Sequence, residues 1–353
     1  QEGKINMNKK NVLILFGGES NEHEISCKSA ANIISCMDKE KYDAFIVGIT
    51  KEGKWYLVNS DIESIKNGNW VNEQKTDAFL SPSKSQGGLV ILDGSNYTVK
   101  KIDVCFPVLH GLFGEDGTVQ GLLKLAGIPC VGGGPLSMGI TMDKRISKIV
   151  FEHENIPVVP TTYIDENYDI ESLKNELSFP VFIKPANSGS SVGCHKVDVP
   201  EELESAVKDA LKTDSSVLAE KYIDCREVEF AVLGNDDPFV SMPSEITTQS
   251  TFYDYETKYI KTQKVNITAP APVQKDLCEK MKKYAVKAYK AVGLSGMARA
   301  DFFIDKKTNE IYLNEFNSIP GFTATSMYPF LMEKHGISVS ELFDKLIDLA
   351  IRK

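Results

Sequence analysis

Apolar positions along the chain follow two periodicities. The run NVLILFGG (residues 11–18) is continuously apolar up to a glycine turn, and Ile25, Ala30, Ile33 and Ile34 then recur at helical spacing. That is the pattern of a strand buried on both faces running into a helix. YDAFIVGIT and KKIDVCFPVLHG repeat the strand pattern, and TVQGLLKLAG supplies a helix ending at Gly127. Residues 1–132 therefore read as an open α/β domain. Within it, residues 51–100 alternate polar runs with Gly and Ser, which predicts hairpins or surface loops added to the domain edge.

VGGGPLS marks a boundary, and a helix is expected from near Ser137 to about Glu154. In a second unit, 133–219, FPVFIKPANSGSSVGCHKV reads as two strands joined by a Gly/Ser loop, followed by a helix over Pro200–Lys212 and the strand SVLAEKYI. A third unit, 220–353, opens with REVEFAVLGN and crosses a polar, tyrosine-rich stretch (about 246–267) that reads either as a lid or as a permanently ordered hairpin. It carries helices over Gln274–Val292 and Ser338–Arg352. Between those helices lies ARADFFIDKKTNEIYLNEFNSIPGFTATS, residues 298–326, which reads as two strands over a polar turn.

Composition narrows the class. At 353 residues the chain exceeds what one core usually serves, so two or three domains are expected. With 42% hydrophobic and 25% charged residues it reads as a folded globular protein. A formal charge of -9 offers no broad attraction for nucleic acid or an anionic membrane, although a local basic pocket is compatible with it. No apolar run approaches the roughly 18 to 20 residues that span a bilayer, and the opening apolar stretch is too short for a signal peptide. A cytoplasmic location without membrane insertion is the expectation, with Met7 as a start and residues 1–6 as an extension. The 7 cysteines show no CxxC and no metal-type spacing, and they read as reduced thiols.

Four constellations could carry chemistry. GGESNEHEIS (Gly17–Ser26) lies between strand and helix at the carboxyl edge of the sheet, where ligands of such folds sit. Its acids, Glu22 among them, otherwise read as helix-terminal residues beside a Ser20 or Asn21 cap. HGLFGEDGTVQG sets His110, Glu115 and Asp116 among glycines, and Asp116 reads as a cap for the next helix. KPANSGSSVG places Lys184 before a loop of small donors, a combination that suits a polyphosphate or else forms an ordinary mobile hairpin.

The fourth is the late hairpin. With its turn near Lys307, Asp301 falls opposite Glu315, and Arg299 and Asn317 fall on the same face. Two opposed carboxylates repel unless a cation lies between them. Oxygen-only donors suit Mg2+ or Mn2+ rather than zinc. The competing reading is a solvated edge hairpin, for which ADFFI and IYLNEF are too apolar.

The segments FGGESNEHEIS, PVLHGLFGEDGTVQG, MDK, VFIKPANSGSSVG, EKYIDCREVEFAVLG, TFYDYETKY, GMARADFF and NEFNSIPGFTATSMYP occur in this order from about Asn11 to the C-terminus. Together they resemble the D-alanine:D-alanine ligases of the ATP-grasp superfamily. The resemblance implies a three-domain α/β architecture: a Rossmann-like N-terminal domain followed by two α+β domains that hold ATP between them. It also implies ATP-dependent ligation of two D-alanine molecules through an acyl phosphate, for peptidoglycan precursors, by a cytoplasmic homodimer.

By matching residues, Lys144 and Lys184 would hold ATP phosphates, with Glu220, Lys221, Ile223 and Glu227 at the adenine and ribose. Asp301, Glu315 and Asn317 would bind two Mg2+ or Mn2+. Glu22 would hold the ammonium of the first D-alanine, linked to Ser190 and Tyr259, and His110 and Glu115 would line its pocket. Arg299 and the Gly321 N–H would face the tetrahedral oxyanion. Ser326 and Lys258 would address the second carboxylate, with Met327 beside them.

D-serine ligases of the same fold remain an alternative, although they tend to carry arginine where Met327 stands. D-lactate ligases generally lack the tyrosine found here at Tyr259. An oxidoreductase on the first strand-turn-helix would leave the carboxylate hairpin and both lysines unexplained. A catalytically inert scaffold would leave Arg299, Asp301, Glu315 and Asn317 without purpose.

Overall fold

The protein is described by a computed structural model covering residues 9–189, 192–247 and 266–353. Its first sheet runs in the order β6-β5-β4-β3-β2-β1-β7. These strands are β1 (Lys10–Gly17), β2 (Tyr42–Ile49), β3 (Trp55–Val58), β4 (Lys75–Leu80), β5 (Gly88–Asp93), β6 (Asn96–Lys101) and β7 (Val104–Val108). Along β1, Val12, Ile14 and Phe16 enter the large core while Leu13 and Leu15 enter a second cluster on the opposite face. A strand buried on both faces must be apolar throughout, and β1 pairs in parallel with both β2 and β7. The edge region expected to form hairpins extends this sheet as the antiparallel run β3 to β6.

Helices α1 (His23–Cys36), α2 (Ile62–Lys66) and α3 (Thr118–Ala126) flank the sheet, and Gly127 ends α3 in a left-handed conformation. The single helix expected over residues 137–154 is instead two, α4 (Pro135–Met142) and α5 (Lys144–His153). Asp143 adopts an extended conformation between them and accepts from the N–H groups of Arg145 and Ile146. Its carboxylate is a better N-cap than a mid-helix residue, so the chain restarts there and places Lys144 at a helix N-terminus.

The second sheet has the order β10-β9-β11-β8, and all its pairings are antiparallel. Its strands are β8 (Thr161–Ile164), β9 (Val181–Pro185), β10 (His195–Val197) and β11 (Val217–Lys221), covered by α6 (Ile170–Glu176) and α7 (Pro200–Ala210). Alternation sorts the side chains. Val181, Ile183, Val217 and Ala219 face the α6 and α7 side and form their own core, so Lys184 and Glu220 face the other way.

The third sheet follows the order β15-β14-β12-β16-β17, with β13 on β12. Its strands are β12 (Cys225–Gly234), β13 (Phe239–Val240), β14 (Ser244–Thr247), β15 (Asn266–Thr268), β16 (Gly296–Asp305) and β17 (Ile311–Asn317). Helices α8 (Lys275–Ala291), α9 (Met327–Lys334) and α10 (Val339–Ile351) complete the chain. The inward residues of this sheet share one core with the first sheet. Phe106 of β7 stacks on Phe343 of α10 at 5.6 Å between ring centroids and meets Phe322 edge-on at 5.7 Å.

Candidate active site

A cavity of about 910 Å3 opens where the three sheets meet, lined from the first sheet by Glu22 and His110, from the second by Lys184 and Glu220, and from the third by Arg299 and Asp301. Helix α5 adds Lys144 to its wall. Residues 248–265 and Ser190 lie outside the described residues. The expected sites Ser190, Lys258 and Tyr259, and most of the expected lid, fall there.

The hairpin β16–β17 pairs Arg299 with Asn317 and Asp301 with Glu315, the partners expected from strand parity. Between Asp301 and Phe302 the register shifts, so that Phe302 pairs with Leu313. The extra residue of this bulge is Asn314. It allows Leu313 and Phe316 to enter the core while both Asn314 and Glu315 line the cleft. Asn314 Oδ1 accepts from Lys184 Nζ at 3.4 Å, a contact that strict alternation hides.

Each of the opposed acids has a cation of the protein itself beside it. Arg299 is bidentate on Asp301, Nε to Oδ1 at 2.8 Å and Nη2 to Oδ2 at 2.7 Å, and also lies 3.4 Å from the buried Glu229 of β12. Asn317 Nδ2 donates to Asp301 Oδ2 at 2.9 Å, and Lys144 Nζ lies 3.7 Å from Glu315 Oε2. The repulsion that motivated a metal is thus partly answered within the chain. The donor set still fits a hard cation, being two carboxylates and one amide with no nitrogen or sulfur ligand.

On the second sheet Glu220 is shared between two lysines. Lys184 Nζ lies 2.8 Å from Oε2 and Lys148 Nζ lies 2.8 Å from Oε1, with all three residues buried. Burial alone would raise the Glu220 pKa, but Lys184 and Lys148 outweigh it and hold the carboxyl down at about 2. Burial would lower Lys184, yet Glu220 and Glu315 keep it above the ordinary lysine value. For Lys148, burial and then neighbouring Lys184 leave the net shift downward in spite of Glu220. Lys144 donates to the Ser188 carbonyl at 2.6 Å, which ties α5 to the Gly/Ser loop. Lys221, Ile223 and Glu227 line the cavity beside Glu220.

On the first sheet, Glu22 sits at the N-terminus of α1 with its carboxylate between two loops. A Cβ on Gly189 would lie 2.9 Å from Glu22 Oε2, and one on Gly111 3.1 Å from it. Glycine at both positions is what lets the loops close on that oxygen. His110 Nδ1 lies 3.0 Å from the Ile319 carbonyl, which can only accept, so Nδ1 carries the hydrogen. Glu115 accepts from Gly111 N and Ile319 N, each at 2.9 Å. Burial, with Glu22 adding to it, raises the Glu115 pKa despite the opposing pull of His110. Asp116 is not the expected cap of α3: the N-cap position is Gly117, and Asp116, one residue before it, accepts from Phe113 N and Thr118 N, each at 2.9 Å, which fixes the turn that leads into the helix.

At the far end of the cleft, Gly321 and Ser326 are adjacent, since a Cβ on Gly321 would lie 2.8 Å from Ser326 Oγ. Ser326 Oγ accepts from Thr323 N at 2.9 Å, and buried Met327 begins α9. The cavity therefore brings together every expected site residue among those described. Lys148, Glu229 and Asn314 were not foreseen. For Lys148 the available signal is its position four residues after Lys144, on the same face of α5.

The chain is similar to known proteins over most of its length. Residues 11–133 match the model for the D-ala D-ala ligase N-terminus and residues 150–348 that for its C-terminus. A D-alanine–D-alanine ligase from Caldicellulosiruptor bescii is 49% identical, the alignment covering 98% of this chain and 96% of that protein. One from Clostridium acetobutylicum is 45% identical over 97% of this chain and 98% of that protein. Among solved structures, the VanG D-Ala:D-Ser ligase from Enterococcus faecalis superposes with a TM-score of 0.89 at 36% identity, covering 97% of this chain and 99% of that one. A D-alanine–D-alanine ligase from Coxiella burnetii gives 0.84 at 32% identity, covering 98% and 94%.

Proposed function

The chain belongs to the D-alanine–D-alanine ligase family, and from that premise we propose that it joins two D-alanine molecules at the expense of ATP. The observation that carries the reading is one cleft in which a buried lysine-carboxylate cluster faces an arginine-carboxylate hairpin, with Glu22 and His110 at the third wall. Each set meets a different demand of an acyl-phosphate ligase: phosphate charge, developing oxyanion and substrate ammonium.

In this reading the nucleotide lies between the second and third sheets. Lys144 and Lys184 meet its phosphates as cations, while Glu220, Lys221, Ile223 and Glu227 border the adenine and ribose. Glu22 takes the ammonium of the first D-alanine, with His110 and Glu115 shaping that pocket. The carboxylate of this D-alanine attacks the γ-phosphorus, giving ADP and an acyl phosphate. The amine of the second D-alanine then attacks the acyl carbon, loses its proton, and phosphate departs.

Arg299 and the Gly321 N–H address charge that appears only on the tetrahedral oxygen, which is where a donor accelerates rather than merely binds. Ser326 addresses the second carboxylate beside Met327. Ser190, Lys258 and Tyr259, and the lid about 246–267, join the proposal on the family resemblance alone. Two Mg2+ or Mn2+ ions on Asp301, Glu315 and Asn317 would supply neutralising charge for phosphoryl transfer.

The division into 1–132, 133–219 and 220–353, a homodimer and a cytoplasmic location belong to the same proposal. Among the described residues no helix is long and apolar enough to cross a membrane. D-serine is the second acceptor to consider, because of the superposition on the Enterococcus faecalis ligase. Met327, where D-serine ligases tend to carry arginine, favours D-alanine. The deciding assay measures ATP-dependent phosphate release with D-alanine alone and with D-serine or D-lactate added, with the products separated. Phosphate release without D-alanyl-D-alanine would overturn the reading.

A further inference from the structure

Lys148 has no part in the chemistry above, yet its side chain is fully buried and ends 2.8 Å from Glu220. Glu220 is already 2.8 Å from Lys184 through its other oxygen. One carboxylate suffices to neutralise Lys184, so a second buried lysine is not explained by charge pairing. Nor is it explained by packing, which an apolar side chain would serve without desolvating an ammonium.

We infer that Lys148 is a positioning residue for nucleotide binding: by sharing Glu220 with Lys184 it leaves the buried trio one positive charge in excess, so that Glu220 does not cancel the charge that Lys184 presents to phosphate. Without Lys148 the Lys184–Glu220 pair would be neutral, and Glu220 would draw the ammonium away from the cleft. Helix α5 couples the two effects. It presents Lys144, which lines the cleft, and one turn later Lys148, which lies behind Lys184. This inference rests on the assignment of Lys184 to the nucleotide phosphates.

Lys148→Met nearly preserves the length of the side chain and removes its charge. Calorimetry with ATP is expected to show binding about 10- to 100-fold weaker, and kinetics a raised KM for ATP with the KM for D-alanine unchanged. Lys148→Arg keeps the charge and is expected to retain most of the affinity, whereas a residue that only filled space would tolerate Met, the closer match in shape, better than Arg. ATP binding by Lys148→Met at wild-type strength overturns the inference. So does a KM for D-alanine that rises in step, or a Lys148→Arg variant that binds no better than Lys148→Met.

If Lys148→Met does not fold, Lys148→Gln, which also removes the charge, is measured in its place. A loss of the size expected for Lys148→Met supports the inference, and affinity near wild type overturns it. Lys184→Met separates the inference from its premise. If that variant binds ATP normally, the phosphate assignment and the inference both fall. If it loses ATP while Lys148→Met does not, the inference alone falls.

Discussion

Arg299 and Asp301 stand two residues apart on β16 and are joined by two hydrogen bonds of 2.8 and 2.7 Å. The proposed metal ligand is therefore held by the proposed oxyanion donor. A cation arriving at Asp301 competes with the guanidinium, and buried Glu229, 3.4 Å from Arg299 Nε, offers the arginine a second anchor. Arg299→Met is accordingly expected to bind Mn2+ more tightly while ligation falls by roughly 100- to 1,000-fold. Mn2+ binding followed by paramagnetic resonance, alongside turnover, checks both directions. Unchanged Mn2+ affinity would remove Asp301 from the ligand set.

Glu315 faces Asp301 and lies near Lys144, and it is only partly buried. Glu315→Gln keeps the shape and removes one charge, so folding is expected to survive while ligation drops by roughly 100-fold or more. Phosphate release and a thermal melt on the same preparation report the two effects. Wild-type turnover would falsify the metal assignment of this residue.

Glu22 stands at the N-terminus of α1, on the wall of the cleft that the first domain supplies. Glu22→Gln is expected to raise the KM for D-alanine by roughly 10- to 100-fold, the worth of one charge-assisted hydrogen bond, with ATP affinity unchanged. Steady-state kinetics in each substrate separately makes the comparison. A matching rise in the KM for ATP would point to a collapsed cleft instead of a lost ammonium partner.

Glu220 links the fold to pH. Its carboxyl is held at about 2 in the folded protein against an ordinary 4.5. A depressed acid stabilises the fold above its unfolded pKa, and that contribution is lost as pH falls from about 4.5 towards about 2. The displacement is worth roughly 3 kcal/mol. Chemical denaturation across this range should show the wild type losing about that much more stability than Glu220→Gln. Parallel curves for the two proteins would contradict the Lys148–Glu220–Lys184 pairing.

Much of the third wall was legible in the sequence, because strand parity is local: once the turn sits near Lys307, the positions of Arg299, Asp301, Glu315 and Asn317 follow. Asn314 was hidden because a bulge breaks that parity, and a bulge depends on what the core accepts, here Leu313 and Phe316 together. Lys148 was hidden for another reason. In the amphipathic run KRISKIVFEH a lysine reads as solvent-facing, and its partner Glu220 comes from a distant strand. The helix break at Asp143 could have been read from the Asp that precedes Lys144, had its capping geometry been weighed against the continuing apolar pattern.

The second sheet keeps a core of its own, apart from the one shared by the first and third. A core of its own makes the second sheet a cooperative unit that can open separately from the rest. Without ligand, the amides of β9 and β11 should exchange with deuterium ahead of those in β1, β7 and β16. A nucleotide gripped by Lys184 on one side and the hairpin on the other would tie the two together, so that the substrate itself makes the enzyme melt as one body.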